Sequence, residues 1–166
     1  MLRVSESIAY PASVAAVAAM YADADYSAVR GETLGAESAS AEVSGSAAGA
    51  FTVTTTMQMP TDQAPDMVRS VIGQRVTVIE KQEWSAPAAD GSRSGLTTIQ
   101  VKGTPATVRA QFTVTGDSAR ATMAINGELA ASVPLIGGRI EKAVEPSIST
   151  VFQREANAAA RWLSER

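Results

Sequence analysis

The sequence has no cysteine and no histidine. The first absence removes disulfides and thiol nucleophiles. The second removes Ser-His and Cys-His relays, and together they remove the usual zinc, copper and haem ligand sets. General acid–base chemistry would fall to Asp, Glu, Lys or Tyr. No metal and no cofactor is therefore expected. Aromatic residues make up only 5% of the chain, and much of its 45% apolar fraction is alanine. Small side chains leave room beneath a curved sheet, or simply reflect an alanine-rich proteome. No apolar run approaches the roughly 20 residues of a membrane span. A formal net charge of −3 and a pI near 5.0 provide no basic face for nucleic acid. Neither nucleic acid nor integral membrane association is expected. Met1 to Glu6 alternates like a strand and lacks the apolar run of a signal peptide, so a cytoplasmic location is the expectation. A length of 166 residues fits one domain, 1–166, with a sizeable core.

The clearest pattern present lies near the C-terminus. Ile140, Val144, Ile148, Val151, Phe152, Ala156, Ala159, Trp162 and Leu163 form one helical stripe. The spacing predicts a helix over 136–164 with Phe152 largely buried. Pro146 should kink this helix without splitting it, because the stripe keeps phase across it. Gly137-Gly138 reads as the bend between the last strand and the helix; the lysine and hydroxyl of a phosphate loop are missing.

Most of the chain before it reads as strands. Leu2, Val4, Ile8 and Tyr10 share a face, with Glu6 the polar exception. Pro11 then opens a short helix carrying Val14, Val17, Ala18 and Tyr21, and a second helical turn or two runs to Arg30, with Gly31 as a left-handed stop. Ala36–Ser44 is polar and suits an exposed edge. Phe51, Val53, Thr55, Met57 and Met59 alternate with Thr52, Thr54, Thr56 and Gln58 up to Pro60. Arg75–Trp84 and Gly95–Val101 follow, then Val108, Ala110, Phe112 and Val114. Gly116-Asp117 makes a hairpin turn, and Ala119, Ala121, Met123, Ile125, Leu129 and Val133 form the inner face of the last strand. An antiparallel sheet followed by one long helix gives an α+β fold, and a curved sheet gripping a helix can enclose a cavity.

Between Pro60 and Gly73, Pro65 can start a short helix with Met67, Val68, Val71 and Ile72 inward. It is either a lid or a packed connector. Asp23 and Asp25 lack calcium-loop spacing and suit a turn that ends a helix. The expected ligand-facing residues are Phe51, Val53, Met57, Val78, Glu80, Phe112, Met123, Ile125, Ile148 and Phe152. Met57, Met59, Met67 and Met123 would line an adaptable apolar pocket or belong to plain core. Glu80 is the unusual member. Val76, Val78, Glu80, Gln82 and Trp84 share a strand face, so burying the valines turns Glu80 inward too. Desolvation there would disfavour the charged form unless a hydrogen bond, a water or a ligand group met it. The alternatives for Glu80 and Glu6 are a bulge that switches face, or a rim position beside water or an arginine.

Several patches resemble a mainly actinobacterial, uncharacterised domain family of the START and birch-pollen-allergen-like superfamily. They are Tyr10-Pro11, Asp25-Tyr26, Met59-Pro60, Ile72-Gly73, Glu83-Trp84, Gly103-Thr104-Pro105 and, most specifically, Val133-Pro134-Leu135-Ile136-Gly137-Gly138-Arg139-Ile140-Glu141. The resemblance covers essentially the whole chain. It implies a helix-grip fold: a seven-stranded antiparallel sheet wrapped around the long helix, two short helices after the first strand, and a hydrophobic cavity. Superfamily relatives bind lipids, sterols or polyketides, and some are cyclases or hydrolases. The family offers no catalytic motif to carry over. The expected function is binding of a small hydrophobic or amphipathic ligand. A carboxylate-dependent cyclase or hydrolase, and a partner-binding domain with a filled core, are the alternatives.

Overall fold

The computed structural model describes residues 1–62 and 64–166. Of the 61–72 segment singled out above, Gln63 lies outside the described residues. The chain opens with strand β1 (Leu2–Tyr10) and two helices, α1 (Val14–Tyr21) and α2 (Ala24–Thr33). Then come β2 (Ser38–Gly45), β3 (Phe51–Pro60), the short helix α3 (Asp66–Ile72), β4 (Arg75–Trp84), β5 (Arg93–Val101), β6 (Ala106–Gly116) and β7 (Ala121–Ala131). Helix α4 (Gly137–Ser164) closes the chain and runs unbroken through Pro146.

Among the described residues the strands form one seven-stranded antiparallel sheet, in the order β1-β7-β6-β5-β4-β3-β2. Strands β2 to β7 are a meander, and β1 pairs with β7. The edges are therefore β1 and β2. Strand β2 is largely exposed, as its polar composition requires of an edge.

Period-two alternation decides what each strand buries. Strand β3 turns Phe51, Val53, Thr55 and Met57 inward, and β4 turns Glu80, Gln82 and Trp84 the same way. Helix α4 lies over this inner face and packs against β1, β7 and α2. It thus sits toward one side of the sheet and leaves the middle strands partly uncovered. Two apolar clusters result. The larger joins α1, α2, the C-terminal part of α4 and the adjoining strand ends; the smaller joins Val68 of α3, Ala131 and Ile140.

Four local expectations are corrected. Gly31 does not end α2 but lies within it, and α2 continues to Thr33 before Gly35 supplies the left-handed residue at φ 99°. Gly31 is there for close approach, since a Cβ would stand 2.4 Å from the Ala39 Cβ on β2. Ala119 lies in the β6–β7 turn, where Asp117 accepts hydrogen bonds from the Ala119 and Arg120 N–H groups. Val133 follows β7, in the loop to α4. Phe152 is half-buried instead of largely buried, because the sheet falls away beneath its part of α4.

Candidate functional site

Between α4 and the middle of the sheet lies a cavity of about 360 Å³. Val4 and Ile8 of β1, Val78 of β4, Thr97 and Ile99 of β5, and Val108 and Ala110 of β6 line its sheet side. Met123, Ile125 and Leu129 of β7 continue that wall, and Val144, Ser147, Ile148, Val151 and Phe152 of α4 form the roof. Ser147 and Val151 are exposed, so the cavity reaches solvent beside them. A second cavity of about 150 Å³ adjoins it toward α3. The two share Ile99, Val108, Leu129 and Val144, and Val68, Val71 and Ile72 of α3 face the smaller one.

One end of the larger cavity is charged. Arg30 on α2, Glu80 on β4 and Glu155 on α4 meet there, each under 10% exposed. Arg30 Nη1 donates to Glu80 Oε1 at 2.6 Å and Nη2 to Oε2 at 2.9 Å, a two-point fork. Its Nε–H donates to both Glu155 oxygens, at 2.8 and 2.9 Å, and Nη2 donates to Glu155 as well. Each partner comes from a different element, so the triad is assembled only when α2, the sheet and α4 have docked. The close approach at Gly31 seats α2 against β2 and so brings the adjacent Arg30 over β4. Burial by itself would lower the Arg30 pKa. Glu155 and Glu80 outweigh that effect and hold it well above its ordinary value.

Beside the triad is a group of tyrosines. The Tyr10 and Tyr21 hydroxyls share a hydrogen bond of 2.8 Å, and Tyr10 OH also donates to Met123 Sδ at 3.7 Å. Tyr26 is fully buried, and its hydroxyl has no partner among the described residues. Desolvation pushes the pKa of all three phenols well above the ordinary value, so they stay protonated at neutral pH. Gln82 borders the same end, its carbonyl accepting from Trp84 Nε1 at 3.2 Å.

Of the residues expected to face a ligand, Met57, Val78, Glu80, Met123, Ile125, Ile148 and Phe152 are on the cavity wall. Phe51, Val53 and Phe112 are not. Phe51 stacks on Trp84 with centroids 5.3 Å apart, Phe112 meets the same indole at 4.8 Å, and Val53 is packed into the core. Met59 also lines the cavity, whereas Met67 is exposed on α3. Glu6 is half-buried and off the wall. Asp23 caps α2, accepting from the Asp25 N–H at 2.9 Å. Among the described residues no three His, Cys, Asp or Glu side chains are grouped to hold a metal ion.

Arg30 and Glu155 were not among the residues expected here. A signal for Glu155 exists: it follows Phe152 by three residues and precedes Ala159 by four, on the helix's own apolar stripe. Arg30 has the weaker signal of lying one turn beyond the buried Tyr26.

A family model described as "Protein of unknown function (DUF2505)" matches residues 5–163. The chain belongs to the DUF2505 family. No curated protein matches it in sequence. Among solved structures, the Zhui aromatase/cyclase from Streptomyces sp. R1128 is similar over 99% of this chain and 94% of its own, at 12% identity and a TM-score of 0.60. Protein Ms6760 from Mycobacterium smegmatis matches over 99% and 92%, at 17% identity and a TM-score of 0.55. A START superfamily protein from the same organism matches over 96% and 98%, at 9% identity and a TM-score of 0.55. At such identities these likenesses concern the fold, which is the START-like helix-grip fold. Within this DUF2505 chain, the patch Val133–Glu141 forms the loop into α4 and its first turn. Leu135 stands there fully exposed in the left-handed region, at φ 72°. No helix among the described residues is long and apolar enough to cross a membrane.

Proposed function

We propose that this protein binds a small hydrophobic or amphipathic molecule, of lipid, sterol or polyketide-like character, between the sheet and α4, and does not transform it. The observation that carries the reading is the cavity of about 360 Å³, walled by aliphatic and methionine side chains and charged at one end. Ligand sites are mostly apolar concavities with few polar groups to set orientation. A filled core, the premise of a purely structural or partner-binding domain, is at odds with that volume. The enzymatic alternative needs a free carboxylate. Glu80 and Glu155, the carboxylates among the described lining residues, are both clamped by Arg30, and the Tyr21 phenol is held protonated by burial.

Native mass spectrometry of the purified protein, with solvent extraction of what accompanies it, tests the reading. A co-purified apolar molecule is expected, or saturable uptake of an environment-sensitive apolar dye at one site per chain. Ile99→Phe and Leu129→Phe, which fill the wall from two strands, should stay folded and lose the dye. Absence of any extracted molecule together with absence of saturable dye binding would overturn the proposal.

A further inference from the structure

The charge at the end of the cavity specifies more than orientation. Arg30 supplies one positive charge, and Glu80 and Glu155 supply two negative ones, so the buried triad carries a formal charge of −1. Its hydrogen-bonding capacity is unbalanced in the same sense. A guanidinium has five N–H donors. One Arg30 Nε–H, one on Nη1 and both on Nη2 are used, which leaves a single donor. Two carboxylates present about eight acceptor sites, of which Arg30 takes only part. The unsatisfied capacity facing the cavity is therefore mostly acceptor, beside an uncompensated negative charge in a site screened from water.

We propose that the ligand is a cationic amphiphile, its protonated amine seated against the Arg30–Glu80–Glu155 triad and its apolar part running toward α3. This rests on the binding function proposed above. An ammonium group has three donors and no acceptor, and its charge brings the site to neutrality. A carboxylate or phosphate head would add a second uncompensated negative charge in the same low-dielectric space and would face acceptors it cannot use. The Gln82 amide is a neutral donor and does not reverse that balance. The apolar part follows from the walls: Ile99, Val108, Leu129 and Val144 border both cavities, so a chain lying past them passes from the charged end into the small pocket under α3.

The test is titration of the protein, at about pH 7, with decylamine, decanol and decanoate, which share a tail and differ in head charge at that pH. Decylamine is expected to bind roughly tenfold or more tighter than either of the others. In Glu80→Gln, which keeps the side-chain shape and makes the triad formally neutral, that preference should fall to near parity. Leu129→Phe should lose all three ligands, which separates cavity binding from adsorption of an amine to an acidic surface. Decanoate or decanol binding as tightly as decylamine would overturn the cation preference alone. An amine preference that survives unchanged in both variants would also overturn it, as surface adsorption. Failure of all three ligands to bind would remove the binding function together with this inference.

Discussion

Toward the C-terminal end of α4, Trp162 meets Tyr26 with centroids 5.4 Å apart, and Trp84 gathers Tyr21, Phe51 and Phe112 within 5.3 Å. Half a helix away, Val144, Ile148 and Val151 hang over valines, isoleucines and methionines that do not reach them. Of eight aromatic residues in the chain, seven belong to the first region; Phe152 stands over the cavity, and of the other seven Tyr21 alone also touches its wall. A scarce supply of large side chains has been concentrated where the helix and sheet must be fastened. Where aromatics are missing, aliphatic side chains of ordinary length cannot span the gap beneath a curved sheet. The cavity is thus the counterpart of the packed end, and the triad sits at the boundary between them.

The largest effect should come from breaking that boundary. Arg30→Met leaves two buried carboxylates without a cation and is expected to cost about 5 kcal/mol, read by urea unfolding. Adding Glu80→Leu and Glu155→Leu to it should recover most of the loss, because an apolar wall has no charge to leave unpaired. A persistent deficit in the triple variant would mean that the triad contributes more than mutual compensation.

The next test compares the two regions directly. Trp84→Ala removes the hub of the aromatic end and should cost about 4 kcal/mol by cavity formation. Phe152→Ala trims a half-buried ring beside an existing void and should cost about 2 kcal/mol. Equal costs in denaturant titrations would show that the cavity end is packed as tightly as the other.

A smaller, pH-dependent difference follows from Tyr10, Tyr21 and Tyr26, whose folded-state pKa values burial raises above the unfolded value. Below about pH 10 the phenols are protonated in both states and stability is unaffected by them. Above it the unfolded chain ionises first, so stability should fall by about 1.4 kcal/mol per pH unit for each tyrosine. Phenolate absorbance should appear only as the protein unfolds. A phenolate signal with an ordinary midpoint in the folded protein would show the aromatic end open to water.

The smallest effect belongs to the loop at the cavity end. Leu135→Gly relieves a left-handed leucine whose side chain packs on nothing, and should raise stability by about 0.5 kcal/mol after the entropy of glycine is counted. A loss of stability in thermal unfolding would mean that Leu135 has a contact in solution.

What the sequence determined by itself was whatever repeats with a local period. Alternation along Arg75–Trp84 put Glu80 on the same strand face as Gln82 and Trp84 before any partner was known. That face is the buried one at this end of the strand, although Val76 and Val78 are only half-buried. The stripe from Ile140 to Leu163 determined α4 within a residue at each end, across Pro146, because a proline on the solvent side interrupts one hydrogen bond and not the packing face. Tertiary structure decided the rest. Whether Phe51 and Phe112 face a ligand or each other's neighbour Trp84 depends on where α1 and α2 fold back, which no strand period records. The same holds for Gly31, legible as a helix stop until β2 lies against it. Arg30 and Glu155 are 125 residues apart, and Glu80 stands between them in the chain. Local periodicity assigns each residue a face, but a charge triad drawn from two helices and a strand exists only through the angles at which those elements cross.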